Sequence, residues 1–268
     1  MVRHCPLILW FMAASMLWCS TAAAGKNETQ QHTFPEARAE TYRDPDQKTR
    51  IYMVQEPKDL RDSPNILIYM HGSAGKEEQG MDPIWERGTF ARLRTLMNSW
   101  GWVYVCPRDA EFRGLLRHLR AKYGPKGIYL AGASGGGHVA LWEAEKNPSA
   151  YAGLLLLCPA IENRKRNHPG KLVMPVWIVS ADKDREITRK CRELVRKLKA
   201  LQGACFYREI EGGHHGTPVE KVNWQRALEF FQEKKRDIVA SLPPVPDIKN
   251  AMAPFRGNEA NLPSTPGP

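Results

Sequence analysis

The chain has 268 residues, enough for one sizeable core and short for two. Its 42% apolar and 25% charged content is ordinary for a soluble globular protein and names no function. The formal charge of +10 comes without a nucleic-acid recognition motif, so no nucleic-acid partner is expected.

In chain order, Arg3 and His4 precede an apolar run from Pro6 to Trp18, and small residues follow, ending Ala22-Ala23-Ala24. That is the order of a secretory signal peptide cleaved before Gly25, so residues 1–24 are expected to leave and the mature chain to be secreted or periplasmic. The run is shorter than the roughly 20 residues of a membrane span; a retained N-terminal anchor is the alternative reading. Residues 25–37 are polar and read as a loosely ordered lead-in. Arg38–Tyr42 and Thr49–Val54 alternate around Asp44-Pro45-Asp46, which predicts a β-hairpin. Ile66–Met70 is a continuous apolar run, as in a strand buried on both faces. Helical spacing then covers Asp82–Trp100, a strand Trp102–Cys106, a helix Phe112–Tyr123, a strand Ile128–Ala131 and a helix Gly136–Glu145. Two more strands, Gly153–Leu157 and Val173–Val179, flank a basic polar loop. A helix Ile187–Leu201, a strand Ala204–Ile210 and one long helix Pro218–Val239 close the domain, read as residues 38–240. Residues 241–268 are proline-rich and read as an extended or disordered tail. Strands alternating with helices imply a mostly parallel sheet with helices on both faces.

The mature chain keeps Cys106, Cys158, Cys191 and Cys205. In an oxidising compartment four cysteines allow three connectivities. Cys191 with Cys205 is the favoured pair, against the alternative of four small buried hydrophobes. No C-x-x-C spacing points to zinc or redox chemistry.

The strongest chemical signal is Gly132-Ala133-Ser134-Gly135-Gly136, a G-x-S-x-G that ends a strand and opens a helix. In such an elbow the serine projects from the sheet edge on a strained turn. The rival, a nucleotide-binding βα turn, lacks its second glycine, since Ser134 stands there. A serine hydroxyl needs a base oriented by a third group. Those partners are expected after later strands, and both occur in order. Ser180-Ala181-Asp182-Lys183-Asp184 offers the acid, as Asp182 or Asp184. Glu211-Gly212-Gly213-His214-His215-Gly216 offers the base, as His214 or His215. His71-Gly72-Ser73-Ala74-Gly75 follows another strand, and the backbone N–H groups of Ser73 and Gly135 are the expected oxyanion donors. His71 and His138 read as structural.

From Ile66 through Phe231 the chain resembles the α/β-hydrolase superfamily. The motifs His71-Gly72, Gly132–Gly136, Pro175–Val179 before Asp184, and Gly212–His215 resemble secreted serine esterases. The groups they suggest are polyhydroxybutyrate depolymerases, feruloyl esterases and dienelactone hydrolases. Family patterns place Gly-x-x-Asp after the acid-bearing strand. Here Ala181 replaces that glycine and the register selects Asp184. Gly-x-x-His aligns Gly212 with His215.

The resemblance implies a Ser134–His215–Asp184 triad acting on carboxylic esters with no metal or organic cofactor. Only about fifteen residues separate Leu157 from Val173. No sizeable cap domain is therefore expected, and small or extended acyl esters would fit an open cleft. Arg164-Lys165-Arg166 in that connection, with Arg189-Lys190 and Lys234-Lys235-Arg236, reads as solvated helix faces and loops, with contact with anionic surfaces as the alternative. A peptidase or acyltransferase could use the same triad, and an inactive hydrolase-fold binding protein is the non-enzymatic rival.

Overall fold

The computed structural model describes residues 34–73, 75–161 and 172–241. The signal segment, Arg164-Lys165-Arg166 and the proline-rich tail lie outside the described residues, as do the side chains of Lys235 and Arg236. Among the described residues, eight strands form one sheet in the order β1-β2-β4-β3-β5-β6-β7-β8. They are β1 (Arg38–Arg43), β2 (Thr49–Gln55), β3 (Asn65–Met70), β4 (Val103–Pro107), β5 (Gly127–Ala133), β6 (Gly153–Leu157), β7 (Val176–Ala181) and β8 (Cys205–Ile210). β1 and β2 pair antiparallel, and β2 runs antiparallel to β4. Every other neighbouring pair is parallel.

Successive residues of a strand face opposite sides, and this period sorts the core into two layers. Ile66, Ile68 and Met70 of β3 join one layer with residues of α2 (Phe112–Tyr123), α3 (Gly135–Lys146) and α4 (Arg185–Ala200). Leu67 and Tyr69 join the other, with α1 (Trp85–Trp100), α5 (Thr217–Lys221) and α6 (Trp224–Ser241). Ile66, Leu67 and Ile68 are all fully buried, so both faces of this strand are covered. Burying each such side chain contributes about 1.5–3 kcal/mol, which is why an unbroken apolar run suits this place. Parallel strands place all their C-terminal ends on one edge, and the loops after β3, β5, β7 and β8 meet there.

Three details differ from the sequence reading. The closing helix is broken. α5 ends at Lys221, the next residue Val222 is extended (φ −62°, ψ 134°), and Asn223 starts α6 by accepting the Arg226 N–H on its Oδ1 at 3.0 Å. The segment before α1 forms a short 3-10 turn, Glu77–Met81, and Glu86, Arg87 and Gly88 all have positive φ, so the regular helix begins only at Thr89. Finally, the four cysteines among the described residues, Cys106, Cys158, Cys191 and Cys205, are free thiols. Cys191 is fully buried and Cys205 packs against the same layer, so both fill space as small apolar groups and the Cys191–Cys205 bond is not formed. Before β1, Phe34 and Pro35 dock on the buried Arg94. Its guanidinium lies 4.0 Å from the Phe34 ring centroid, and its Nη2 donates to the Pro35 carbonyl at 2.8 Å.

Candidate active site

Ser134 directly follows β5 and has φ 51° and ψ −119°, a region that side chains beyond glycine rarely enter. Its surroundings hold it there. Its N–H donates to the Leu157 carbonyl at 3.0 Å, and its own carbonyl accepts the N–H of Ala160 at 2.8 Å and of His138 at 3.1 Å. The flanking glycines are forced by packing. A Cβ on Gly132 would fall on the Gly136 carbonyl, and one on Gly136 would fall on the carbonyls of Met70 and His71. The elbow is therefore clamped between β3 and the first turn of α3, whose amide groups favour negative charge nearby.

His215 reaches this serine from the loop after β8. Its Nε2 lies 2.8 Å from Ser134 Oγ, and its Nδ1 bonds to Asp184 Oδ2. With Nδ1 donating to the carboxylate, Nε2 is left with a lone pair aimed at the serine hydroxyl. Asp184 stands at the start of α4, and backbone bonds fix it there: its N–H donates to Ala181 and its carbonyl accepts the Thr188 N–H. The His215 side chain is half exposed while that of Asp184 is 18% exposed, so the orienting pair is screened on the acid side only.

The alternates take different places. Asp182 turns toward the histidine loop, and the Gly212 backbone N–H chiefly holds its carboxyl below the ordinary carboxylate range. Its Oδ1 is buried without a partner among the described residues. Around it, the Asp182 N–H donates to Ile210 at 3.1 Å and the Lys183 N–H to Gly213 at 3.0 Å, stitching the two loops together. His214 is exposed and is held through its backbone, its N–H donating to Thr217 Oγ1 at 2.9 Å. The structure brings Asp184 and His215, not Asp182 and His214, to Ser134.

Ser73 and Gly135 are also adjacent. A Cβ placed on Gly135 would lie 3.2 Å from the Ser73 backbone nitrogen and would overlap its hydroxyl. Next to them, His71 Nδ1 lies 2.8 Å from the Gly72 carbonyl, and its Nε2 is buried without a partner among the described residues.

Two neighbours escaped the sequence reading. Cys158, at the end of β6, is buried with φ 39°. Burial pushes its thiol up to about 12, against the backbone N–H of Ser134, so it stays protonated beneath the elbow. Glu86 comes from the irregular start of α1, and its Oε2 lies 3.9 Å from where a Gly216 Cβ would stand. Burial, then the neighbouring Glu220 carboxylate, raises the Glu86 carboxyl above its ordinary value. Neither could be found from sequence, because no local motif brings either segment to Ser134. Among the described residues no three His, Cys, Asp or Glu side chains are grouped to hold a metal, and no helix is long and apolar enough to cross a membrane.

No protein-family model matches the sequence, and no curated protein matches it. Solved structures do. A thermostable esterase shares 20% identity at a TM-score of 0.57, covering 74% of this chain and 62% of its own. A ferulic acid esterase shares 15% identity at 0.58, covering 75% and 99%. A putative dienelactone hydrolase from Klebsiella pneumoniae shares 16% identity at 0.57, covering 74% and 100%. The chain spans less than two thirds of the first of these. At such identities the likeness carries the fold alone, and the fold is that of the α/β-hydrolases.

Proposed function

We propose that this protein is a serine hydrolase that cleaves carboxylic esters through a covalent acyl-enzyme. The observation that carries the reading is the hydrogen-bonded relay Asp184–His215–Ser134, with the serine on a strained elbow at the C-terminal edge of the sheet. Sequence order alone does not make such a relay; here residues from three separate loops line up in one hydrogen-bonded chain.

His215 Nε2 takes the Ser134 proton as Oγ attacks the ester carbonyl. Asp184 keeps the imidazole in the required tautomer and stabilises the imidazolium that forms. The Ser73 and Gly135 amides hold the developing oxyanion, an interaction whose loss typically costs about a hundredfold or more in rate. The imidazolium then protonates the departing alcohol. Water, deprotonated by His215, then attacks the acyl carbon; the bond to Ser134 Oγ breaks, the imidazolium returns the proton to Oγ, and the acid leaves. Each step moves a proton between His215 and the serine, the leaving alcohol or water.

The short connection between β6 and β7 supports an open site for small or extended acyl esters. The ferulic acid esterase and dienelactone hydrolase neighbours make aryl esters and lactones a reasonable first panel. In this reading residues 1–24 direct export and are removed.

Labelling of the full chain with a fluorophosphonate, beside Ser134→Ala and followed by mass mapping, tests the proposal. An adduct on Ser134 that disappears in the variant is the expected result. A folded protein that takes no label would overturn it in favour of a binding role.

A further inference from the structure

A groove of about 800 Å³ runs between α2 and the C-terminal half of α3. Its α2 wall carries Arg113, Arg117 and Arg120, all exposed. Spacings of four and three residues set them on one helix face, spread over about 10 Å of axis. The α3 wall carries Trp142, 49% exposed, with Lys146 Nζ 5.0 Å from its ring centroid.

The acids lining the groove are already engaged. Glu111 accepts the Gly114 N–H as the N-cap of α2. Glu143 is buried and accepts from Tyr151 and Asn147. None of the three arginines has an ion-pair partner among the described residues. On α4, by contrast, Arg189, Lys190 and Arg192 pair with Glu193, Glu186 and Glu209. Like charges three and four apart on a helix cost a few tenths of a kcal/mol each, and half of the Trp142 residue surface is left open to solvent. The fold gains nothing visible from this arrangement, whereas an anionic ligand would.

We propose that this groove binds an extended acidic polysaccharide, with sugar carboxylates on Arg113, Arg117 and Arg120 and a sugar ring against the Trp142 indole. The concave shape favours a chain over a bilayer, which calls for protruding apolar side chains, whereas the exposed apolar element here is one indole. A flat aromatic face beside a row of cations suits a ring with acid on its rim better than an acidic peptide, whose side chains would need pockets. The groove starts at the first turn of α2, following β4 at the same sheet edge that bears Ser134 after β5, so a polymer held there would extend from the catalytic edge. This binding does not depend on the hydrolytic reading.

Binding of the full chain to polygalacturonate is the test, beside neutral dextran, poly-glutamate, and vesicles of equal parts phosphatidylglycerol and phosphatidylcholine. The expected result is preference for polygalacturonate. Arg113→Gln/Arg117→Gln/Arg120→Gln should weaken it at least tenfold, and Trp142→Ala at least threefold. An equal charge loss on α4, Arg196→Gln/Lys197→Gln/Lys199→Gln, should change it less than twofold. Glutamine keeps helix propensity at these exposed sites, and Trp142→Ala alone decides the matter if the triple variant fails to fold. Absence of binding, equal loss in both triple variants, or tighter binding to poly-glutamate or vesicles would each overturn the proposal.

Discussion

Ser134 holds a backbone conformation that its side chain disfavours, and such residues cost about 1–3 kcal/mol when the surrounding structure enforces them. Removing the hydroxyl therefore has two different consequences for stability, depending on what replaces it. Ser134→Ala keeps the Cβ and the strain, whereas Ser134→Gly relieves it, at an entropic cost of about 0.5–1 kcal/mol. The glycine variant is expected to be more stable than the alanine variant by about 1 kcal/mol in urea unfolding, with both inactive. Equal midpoints would mean that the elbow is not strained. A second contrast separates the two aspartates. Asp184→Asn removes the acceptor that fixes the His215 tautomer and should lower kcat on a small ester by roughly 10⁴-fold. Asp182→Asn touches only the loop-to-loop seam at Gly212 and should change kcat by less than about tenfold while lowering the melting temperature. A large kcat loss in Asp182→Asn with Asp184→Asn active would exchange their roles.

At the scale of elements, the hairpin and α2 are joined by charge as well as by packing. Glu40 of β1 accepts from the Tyr52 hydroxyl of β2 at 2.5 Å and from Lys122 Nζ of α2 at 2.6 Å. Burial pushes its carboxyl up, but these donors outweigh burial and bring it down to about 2. A carboxyl depressed in the folded state stabilises above its unfolded value, near 4.3, and that contribution is lost as pH falls through about 2. Glu40→Gln should therefore cost about 1 kcal/mol at pH 7 and about half of that at pH 3, read from urea midpoints at the two pH values. A cost that does not change with pH would assign the effect to packing. The same elements show what the sequence makes legible. The continuous run Ile66–Met70 and the glycines around Ser134 announce β3 and the elbow, because burial on both faces and a backbone crossing each leave a residue-type signature. The hydrophobic period, by contrast, runs past Val222 and hides the break between α5 and α6, although an asparagine that can accept the backbone N–H three residues on, as Asn223 does from Arg226, is a helix-start signal. The irregular start of α1 leaves less trace, since of Glu86, Arg87 and Gly88 only the glycine advertises a positive φ. Arg113, Arg117 and Arg120 are visible as charges, but that they lie unpaired beside Trp142 depends on how α2 and α3 pack.

Across the whole molecule the candidate site is assembled from strands of unequal security. Ser134 hangs from β5, which is paired on both sides and buried along its whole length. His215 hangs from β8, an edge strand paired only to β7, with alternate residues open to solvent. Few side chains hold β8 at the catalytic end: the buried Ile210, an exposed bidentate Arg192–Glu209 pair and a hydroxyl contact between Ser180 and Tyr207, beside the backbone seam through Asp182 and Lys183. Exposed ion pairs contribute about 0–1 kcal/mol. Its firmer contact, the stack of Phe206 on Trp177, lies toward the opposite end. Edge elements with few buried contacts open below the global unfolding free energy. The relay should therefore come apart before the fold does. In a urea series the rate of fluorophosphonate labelling at Ser134 should fall with a midpoint about 0.5 M below that of far-UV ellipticity, a gap of about 1 kcal/mol at a typical urea slope. A destabilising change at the β8 edge separates this from direct inhibition by urea. Arg192→Ala should widen the gap, since it loosens β8 while touching neither Ser134 nor His215. Coincident midpoints in both proteins would instead mean that β8 unfolds only with the core, and that the loops bearing Asp184 and His215 draw their order from the cooperativity of the whole sheet.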